Sequence, residues 1–321
     1  DLHRLIRRQR QMCIRDRGRM SSVSVIVRAY NAEKYIRYAI NSILNQNYNE
    51  LIEIIVCYDE GTQDNTLSIL KELSKCSYEN RTVTIYTHTH LTPFRSLQYG
   101  LARSKGEYVM ILDYDNVMPS NYISTMMKSA ESSEAQFLFS NILPIDEKGN
   151  IIGAKNPSSF NFTLKDLILS NRIDGNTIML RKDYAEKIKD EFKLLDQRSF
   201  DDLHEDWLIA LLALKDCKPC YVKDAYILYR IHGENITAGA EDLYKILRKL
   251  EKDVFTLLAF YESRGRDLAK EELTALQIAL MRRYTWSMRY ISKYKKKLRL
   301  LEKYSLLASI SRKVLEKLLF I

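Results

Sequence analysis

The feature that most constrains the fold is an alternation of short apolar strand segments with amphipathic helical segments. Residues 22–30 read SVSVIVRAY, a β-branched run typical of a buried strand, and residues 31–48 carry apolar side chains at helical spacing. Further strands are predicted at residues 52–58, 82–87 and 107–114. Strands separated by helices of about 10–15 residues indicate an α/β sheet that is mostly parallel. Nearly continuous apolar strands indicate that helices cover both sheet faces.

Acidic side chains follow two of these strands. The second strand leads into YDEGTQD, which contains Asp59 and Glu60, and the fourth leads into DYDN, which contains Asp113 and Asp115. The carboxyl ends of parallel strands meet at one edge of the sheet, where open α/β sheets bind ligands. Magnesium is held in proteins by one or two carboxylates together with substrate phosphates. The pattern therefore predicts a metal–diphosphate site, and the alternative is that DYDN only forms a turn or caps the next helix.

Five landmarks between residues 22 and 238 resemble, in order, those of bacterial family 2 glycosyltransferases with the GT-A fold. They are VSVIVRAYNAEKYIRYAINSILNQNY, IEIIVCYDEGTQDNT, GEYVMILDYDN, HEDWLIALLAL and YRIHGENIT. The resemblance implies a Rossmann-like, mostly parallel mixed sheet flanked by helices. It also implies an inverting transferase that moves a sugar from a nucleotide-sugar donor, a UDP-sugar, to a glycan or lipid-linked acceptor in cell-surface polysaccharide synthesis.

The resemblance also assigns a donor-binding role to several residues. Tyr30 stacks on the nucleotide base, and either Asp59 or Glu60 accepts a hydrogen bond from the uracil or the ribose. Where the family usually has Arg-Asn this chain has Leu97-Gln98, so the nearby Arg95 is the residue expected at the donor phosphates.

A second set of residues is assigned to the metal. Asp115 binds the Mn²⁺ or Mg²⁺ that bridges the donor diphosphate, and Asp113 contacts the ribose or assists the metal. His232 adds a metal or phosphate contact.

Asp206, with Glu205 beside it, is the residue that the resemblance assigns as general base. A sugar hydroxyl is a poor nucleophile, so a carboxylate within hydrogen-bond reach must accept its proton. A single base opposite the leaving group gives one displacement with inversion at the anomeric carbon. The alternative is that these acids only favour the start of a helix through its dipole.

Other chemistry-bearing patterns support different interpretations. Cys217 and Cys220 form a CxxC pair that could serve redox or metal chemistry, although scattered cysteines indicate thiols in a reducing compartment. His88 and His90 at a strand end could bind a metal. The phosphate-binding patterns GxxxxGK[ST] and GxGxxG are absent from the sequence.

Positive charge is concentrated at the two ends of the chain. Residues 1–20 hold seven Arg against two Asp, and residues 241–321 hold 19 Lys and Arg against 10 Asp and Glu, while the whole chain has a net charge of +9. The middle is therefore acidic, which argues against nucleic acid as a partner. The basic segment 282–317, with interleaved aromatics, suits an anionic membrane surface. The alternative is a solvated helix packed on the body through its apolar stripe.

These observations predict three regions: a leader at residues 1–19 that is non-native or disordered, a GT-A domain at 20–240, and a basic helical extension at 241–321. Without a secretory signal pattern, the enzyme is expected in the cytoplasm, peripheral at the inner face of the cell membrane.

Two other functions are compatible with the pattern. A catalytically degenerate GT-A module could bind a membrane or a partner, since Glu60, Leu97 and Gln98 depart from the family pattern. A nucleotidyltransferase of similar fold would require a Gly-rich opening loop, which this chain lacks.

Overall fold

The computed structural model describes residues 21–76, 79–153, 162–197, 200, 202–233 and 243–298. The predicted leader at 1–19, the predicted boundary near 240 and the part of the basic segment beyond residue 298 lie outside the described residues.

The described strands form one seven-stranded sheet. They are β1 (Val23–Ala29), β2 (Ile52–Asp59), β3 (Arg81–His88), β4 (Tyr108–Asp113), β5 (Phe137–Ile145), β6 (Ile178–Arg181) and β7 (Cys220–Arg230). Their order across the sheet is β3-β2-β1-β4-β6-β5-β7. All neighbouring strands run parallel except β6, which is antiparallel to both β4 and β5. The predicted mostly parallel mixed sheet is confirmed.

Helices connect the strands and cover the sheet. They are α1 (Ile36–Leu44), α2 (Thr66–Lys75), α3 (Pro93–Leu101), α4 (Tyr122–Ser133), α5 (Leu164–Leu169), α6 (Lys182–Gln197), α7 (Glu205–Asp216), α8 (Leu243–Arg264) and α9 (Lys270–Leu298). Short 3₁₀ turns span Gly175–Thr177 and Gly265–Asp267. The sequence patterns anticipated the helices that flank β1 to β4 and the long helices after residue 241, but not α5 or α6.

Two hydrophobic clusters lie on opposite faces of the sheet. Successive strand side chains alternate between the faces, so Val25 and Val27 of β1 enter one cluster and Ile26 enters the other. Helices α1, α2 and α4 cover the cluster that contains Val25 and Val27. Helices α3 and α5 to α9 cover the cluster that contains Ile26. Burial on both faces explains why the strands read as continuous apolar runs.

A close backbone approach sets the register of β4 beside β1. Gly106 precedes β4, and its backbone N–H donates to Ser24 Oγ at 2.7 Å. A Cβ at this position would lie only 2.5 Å from the Ser24 backbone nitrogen. Only glycine therefore lets β4 start where Tyr108 pairs with Val23 and where its last residue, Asp113, lies beside Arg28.

The helices after residue 242 pack against the rest of the protein. Val254 and Leu257 of α8 and Leu276 and Leu280 of α9 are buried in the same cluster as Trp207 of α7. Among the described residues, no helix is both long enough and apolar enough to cross a bilayer.

Candidate active site

The carboxyl ends of β1, β2 and β4 bring the first candidate residues to one edge of the sheet. In the parallel ladder Ala29 of β1 pairs with Tyr58 of β2, and Arg28 pairs with Asp113 of β4. The residues that follow each strand, including Tyr30 and Asp59, therefore gather at this edge.

Tyr30, Asp59 and His90 form a pocket beside the end of β2. Asp59 is buried, and its Oδ1 accepts a hydrogen bond from the Gly61 backbone at 2.8 Å. Its Oδ2 lies 2.8 Å from His90 Nδ1, and the His90 ring lies 5.3 Å from the Tyr30 ring. Tyr30 is 45% exposed, so its ring face remains accessible to a planar ligand. Glu60 has an exposed side chain, so Asp59 is the acid built into this pocket.

His88 and His90, the histidines suggested as a metal pair, have different surroundings. His88 is buried, with Nδ1 2.7 Å from the Thr89 carbonyl and Nε2 3.2 Å from Ser96 Oγ. His90 instead contacts the carboxylate of Asp59. The structure therefore places one imidazole inside the body and the other in the pocket.

Arg28 is a site residue that the sequence reasoning missed. It lies on β1 and donates from Nη2 to Asp113 Oδ1 at 2.6 Å and from Nη1 to Glu205 Oε1. Its Nη1 also lies 3.3 Å from the Pro93 carbonyl. Burial alone would lower the pKa of Arg28, but Asp113 and Glu205 hold it above its usual value. The available signal was a charged residue inside the apolar run SVSVIVRAY.

Asn176, in the short turn before β6, fixes Asp113 from the other side. Asn176 Oδ1 accepts from the Asp113 backbone N–H at 2.6 Å, and Nδ2 donates to Asp113 Oδ2 at 3.1 Å. The same Nδ2 donates to Asp174 Oδ1 at 2.8 Å. Burial, followed by the charges of Asp113 and Asp115, raises the pKa of Asp174. The amide thus orients Asp113 and separates it from a second carboxylate.

Asp115 and His232, both predicted at the metal, are adjacent. His232 Nε2 lies 3.0 Å from Asp115 Oδ2, and the imidazole is buried against the ring of Tyr35. Burial, followed by the charge of Asp113, raises the pKa of Asp115. The pairing joins the loop after β4 to the end of β7.

Arg230, two residues before His232, anchors this pair. Its Nε donates to the Asp115 carbonyl at 2.9 Å and its Nη1 to the Glu147 carbonyl at 2.8 Å. Its backbone N–H donates to Asn116 Oδ1 at 2.9 Å. The Tyr-Arg-x-His segment therefore supports the loop that carries Asp115.

Asp206 lies in the first turn of α7 and is half-buried. Its Oδ1 accepts from the Trp207 backbone N–H at 2.7 Å, and its Oδ2 accepts from Asn171 Nδ2 at 3.1 Å. Burial, followed by the charges of Glu205 and Asp174, raises the pKa of Asp206 to about 7. A carboxyl group with this pKa is suited to proton transfer near neutral pH.

The turn that faces Asp206 contains a glycine. A Cβ at Gly175 would lie 3.0 Å from Asp206 Cβ, so a larger residue there would displace the carboxylate or the turn. Glycine thus allows the turn before β6 to approach the start of α7.

Five carboxylates lie near one another in this region, and we call them the acidic cluster. They are Asp113, Asp115, Asp174, Glu205 and Asp206. Each of these carboxylates interacts electrostatically with at least one other member of the cluster. Arg28 bridges two of them, Asp113 and Glu205. The excess of negative charge favours binding of a cation.

The residues present fit a divalent cation held partly by a ligand. Among the described residues, no three side chains have the arrangement of a complete metal site. Carboxylate oxygens with an adjacent imidazole are suitable donors for Mn²⁺ or Mg²⁺, and such ions are commonly held by one or two carboxylates plus phosphate oxygens. Asp115, Asp113 and His232 are therefore the candidate ligands, as the resemblance implied.

Arg95 and the CxxC pair have other contacts. Arg95, in the first turn of α3, donates from Nε to Asp196 of α6 at 2.8 Å; its role at the donor phosphates stays a prediction. Cys217 Sγ donates to the Ala213 carbonyl at 3.2 Å, and burial raises its pKa to about 11. Cys217 and Cys220 are both free thiols, and a protonated thiol such as that of Cys217 is a poor nucleophile.

Comparisons with known proteins agree with the geometry. Residues 24–188 match the sequence profile of Glycosyl transferase family 2. An uncharacterized glycosyltransferase of Haemophilus influenzae is 31% identical over 226 residues, 67% of each chain. The GalNAc(5)-diNAcBac-PP-undecaprenol beta-1,3-glucosyltransferase of Campylobacter jejuni is 28% identical over 234 residues, 71% of each chain.

A solved structure shares the fold. Staphylococcus aureus TarS 1–349, in complex with UDP-GlcNAc, superimposes with a TM-score of 0.53 at 20% identity, covering 92% of this chain and 90% of that one. This likeness confirms the GT-A fold with a C-terminal helical part. Together, the profile match and the Haemophilus relative establish that this chain is a glycosyltransferase and belongs to glycosyl transferase family 2.

Proposed function

We propose that this enzyme transfers a sugar from a UDP-linked donor to a lipid-linked glycan acceptor, with inversion and with a divalent cation. The observation that carries the proposal is Asp206, a half-buried carboxyl group with a pKa raised to about 7 at the edge where the strand ends gather. A carboxylate of this basicity accepts a proton from a hydroxyl far better than an ordinary Asp with a pKa near 3.9.

The donor would bind across the ends of β1, β2 and β4. Tyr30 offers an exposed ring to the base, and Asp59 offers carboxylate oxygens to the uracil or ribose. The diphosphate would then lie toward Asp113 and Asp115. When bound there, Mn²⁺ or Mg²⁺ supplies Lewis-acid stabilisation of the negative charge on the departing nucleoside diphosphate.

The acceptor hydroxyl would approach from the side of α7. Asp206 removes its proton as the acceptor oxygen forms a bond to the anomeric carbon and the bond from that carbon to the diphosphate oxygen breaks. Asn171 and the Trp207 backbone N–H hold the carboxylate in position. Glu205 is bound to Arg28, so we assign it to positioning rather than proton transfer.

The acceptor class is supported by the Campylobacter relative, whose name specifies an undecaprenyl-diphosphate-linked glycan. The UDP donor is supported by the pocket at Asp59 and by the fold likeness to TarS, which binds UDP-GlcNAc. A lipid-linked acceptor would place the enzyme on the cytoplasmic side, peripheral at the inner face of the cell membrane. We retain residues 20–240 as the proposed catalytic domain and 241–321 as its helical extension.

A ligand panel tests the proposal. Thermal unfolding of the purified protein is measured with UDP-sugars, GDP-mannose and free UDP, each with and without Mn²⁺. We expect a UDP-sugar to raise Tm only when Mn²⁺ is present, and Asp115→Ala to remove that increase. Transfer to an undecaprenyl-diphosphate-linked glycan is then assayed with the stabilising donor. Absence of both binding and transfer would instead support the degenerate module.

A further inference from the structure

Helix α9 presents one face to the body and the opposite face to solvent. On the inner face, Leu276, Ala279 and Leu280 are fully buried. The outward residues recur at spacings of three and four, which places them on one side of a helix. We call this set the outer face of α9: Ile278, Met281, Arg282, Thr285, Trp286 and Arg289.

The outer face exposes three large apolar side chains. Ile278 is 42% exposed, Met281 46% and Trp286 53%. Together with the rest of the outer face they line a shallow groove of about 440 Å³. Clustered exposed apolar side chains with a polar rim mark a surface that binds a partner.

The charge on this part of the chain has one sign. Arg282 and Arg289 of the outer face are exposed. In the sequence, residues 273–301 contain eight Lys and Arg and no Asp or Glu. An anionic partner would complement this surface, and a second copy of the same face would be repelled.

The chemistry of the outer face favours a lipid surface over the other anionic partners. A Trp with aliphatic neighbours suits the boundary between headgroups and acyl chains, and flanking Arg side chains suit lipid phosphates. A nucleic acid would use the arginines and Trp286, but it would leave Ile278 and Met281 in contact with a phosphate backbone.

Helix α9 is also linked to the candidate base. Arg283, on the inner side, donates to the Leu169 carbonyl at 3.1 Å and lies over the Trp207 ring at 5.3 Å. Two residues after Leu169, Asn171 donates to Asp206. Helix α9 would therefore lie between a partner bound to its outer face and the segment that holds the Asp206 carboxylate.

We propose that the outer face of α9 docks the enzyme on an anionic phospholipid membrane and so brings Asp206 to acceptors at that surface. The choice of a membrane rests on the side chains of the outer face, whereas the statement that acceptors lie at that surface rests on the proposed function. The proposed contact is made by the outer face of α9, whereas the sequence predicted only that the segment 282–317 binds an anionic membrane.

The test is sedimentation of the full chain with vesicles of phosphatidylcholine, with or without phosphatidylglycerol. Wild type is expected to bind only vesicles that contain phosphatidylglycerol, and less at high salt. Arg282→Glu with Arg289→Glu, and separately Met281→Ser with Trp286→Ser, are each expected to weaken binding at least about 10-fold. The matched control is Arg266→Glu with Lys270→Glu, an equal charge change at exposed positions off the outer face, and it is expected to retain most of the binding.

Several outcomes would overturn the inference. These are equal sedimentation of wild type and both outer-face variants, equal binding to vesicles without phosphatidylglycerol, displacement from vesicles by a single-stranded oligonucleotide, or self-association that the outer-face variants abolish.

UDP binding by the same variants is measured in parallel and should be unchanged. If wild type binds vesicles through the outer face but binds no UDP-sugar, the proposed function fails while the docking surface stands; the reverse result rejects the docking surface alone.

Discussion

Arg28 on β1 donates a hydrogen bond to Glu205 at the start of α7, 177 residues later in the chain. Its other terminal nitrogen binds Asp113. This single guanidinium therefore fixes the end of a central strand against the helix that carries the candidate base. It also occupies Glu205, which leaves Asp206 as the neighbouring carboxylate available for proton transfer.

Arg28→Met should lower the free energy of unfolding by roughly 3 kcal/mol, because it leaves Asp113 and Glu205 unpaired in a partly buried site. Urea unfolding measures the change. Arg37→Met is the matched control, since its pair with Glu72 is exposed and should contribute less than about 1 kcal/mol. Adding Glu205→Gln to Arg28→Met should restore part of the loss; additive losses would show that the two residues are not coupled.

Asp206→Asn should reduce kcat by about 10²–10⁴-fold, the usual contribution of a general base. In wild type, kcat/KM should fall below about pH 7, where Asp206 becomes protonated. Steady-state transfer assays across pH measure both effects. Glu205→Gln should cost less activity and should keep an acidic limb, moved to lower pH because the charge of Glu205 contributes to the raised pKa of Asp206. Loss of that limb in Glu205→Gln would transfer the base assignment to Glu205.

The raised pKa of Asp206 also predicts how stability depends on pH. Between about pH 4 and pH 7 the native state holds a proton that the unfolded chain has released, so this group makes the free energy of unfolding fall as pH rises. Asp206→Asn removes that contribution. The variant should therefore gain stability relative to wild type from pH 4 up to about pH 7, with a constant difference above it. Urea unfolding at a series of pH values checks this, and a difference that does not vary with pH would contradict the raised pKa.

Asn176→Ala should weaken Mn²⁺-dependent UDP binding and destabilise the protein by roughly 2 kcal/mol, because the backbone N–H of Asp113 and the carboxylate of Asp174 lose a buried partner. Calorimetric titration with UDP and urea unfolding measure the two effects. Asn141→Ala removes another buried amide, which donates to the Lys223 carbonyl. Asn141→Ala should cost similar stability and leave UDP binding unchanged. If both variants weakened UDP binding equally, Asn176 would have no specific role in orienting Asp113 for the ligand.

Tyr30→Ala should weaken UDP binding by roughly 10- to 100-fold, which corresponds to the stacking of one base on an aromatic ring. Tyr38→Ala is the control, because Tyr38 is also exposed and lies on α1 rather than in the pocket. Calorimetric titration with UDP separates the two variants. Similar affinities for both would place the base elsewhere.

Local patterns in the sequence were sufficient to predict strands β1 to β4, the helices that flank them, and the sheet edge where the acidic side chains collect. These features follow from local patterns, since burial on both faces requires continuous apolar strands and the polar residues then fall at their ends. The acids at positions 59, 113 and 115 were recognised for that reason, whereas those at positions 205 and 206 were recognised through the resemblance of HEDWLIALLAL to the family.

The contacts of these acids, in contrast, depend on how distant segments of the chain pack together. Arg28 comes from β1, whereas Asn171, Asp174 and Asn176 come from the segment between α5 and β6. No spacing in the chain predicts that these two parts lie beside Asp113 and Asp206. Whether Asp206 has an ordinary or a raised pKa depends on burial and on charges brought from distant segments, which are properties of the packed site. In the same way, the sequence showed that α9 is basic, but packing against α5 and α8 decided which of its faces remains exposed.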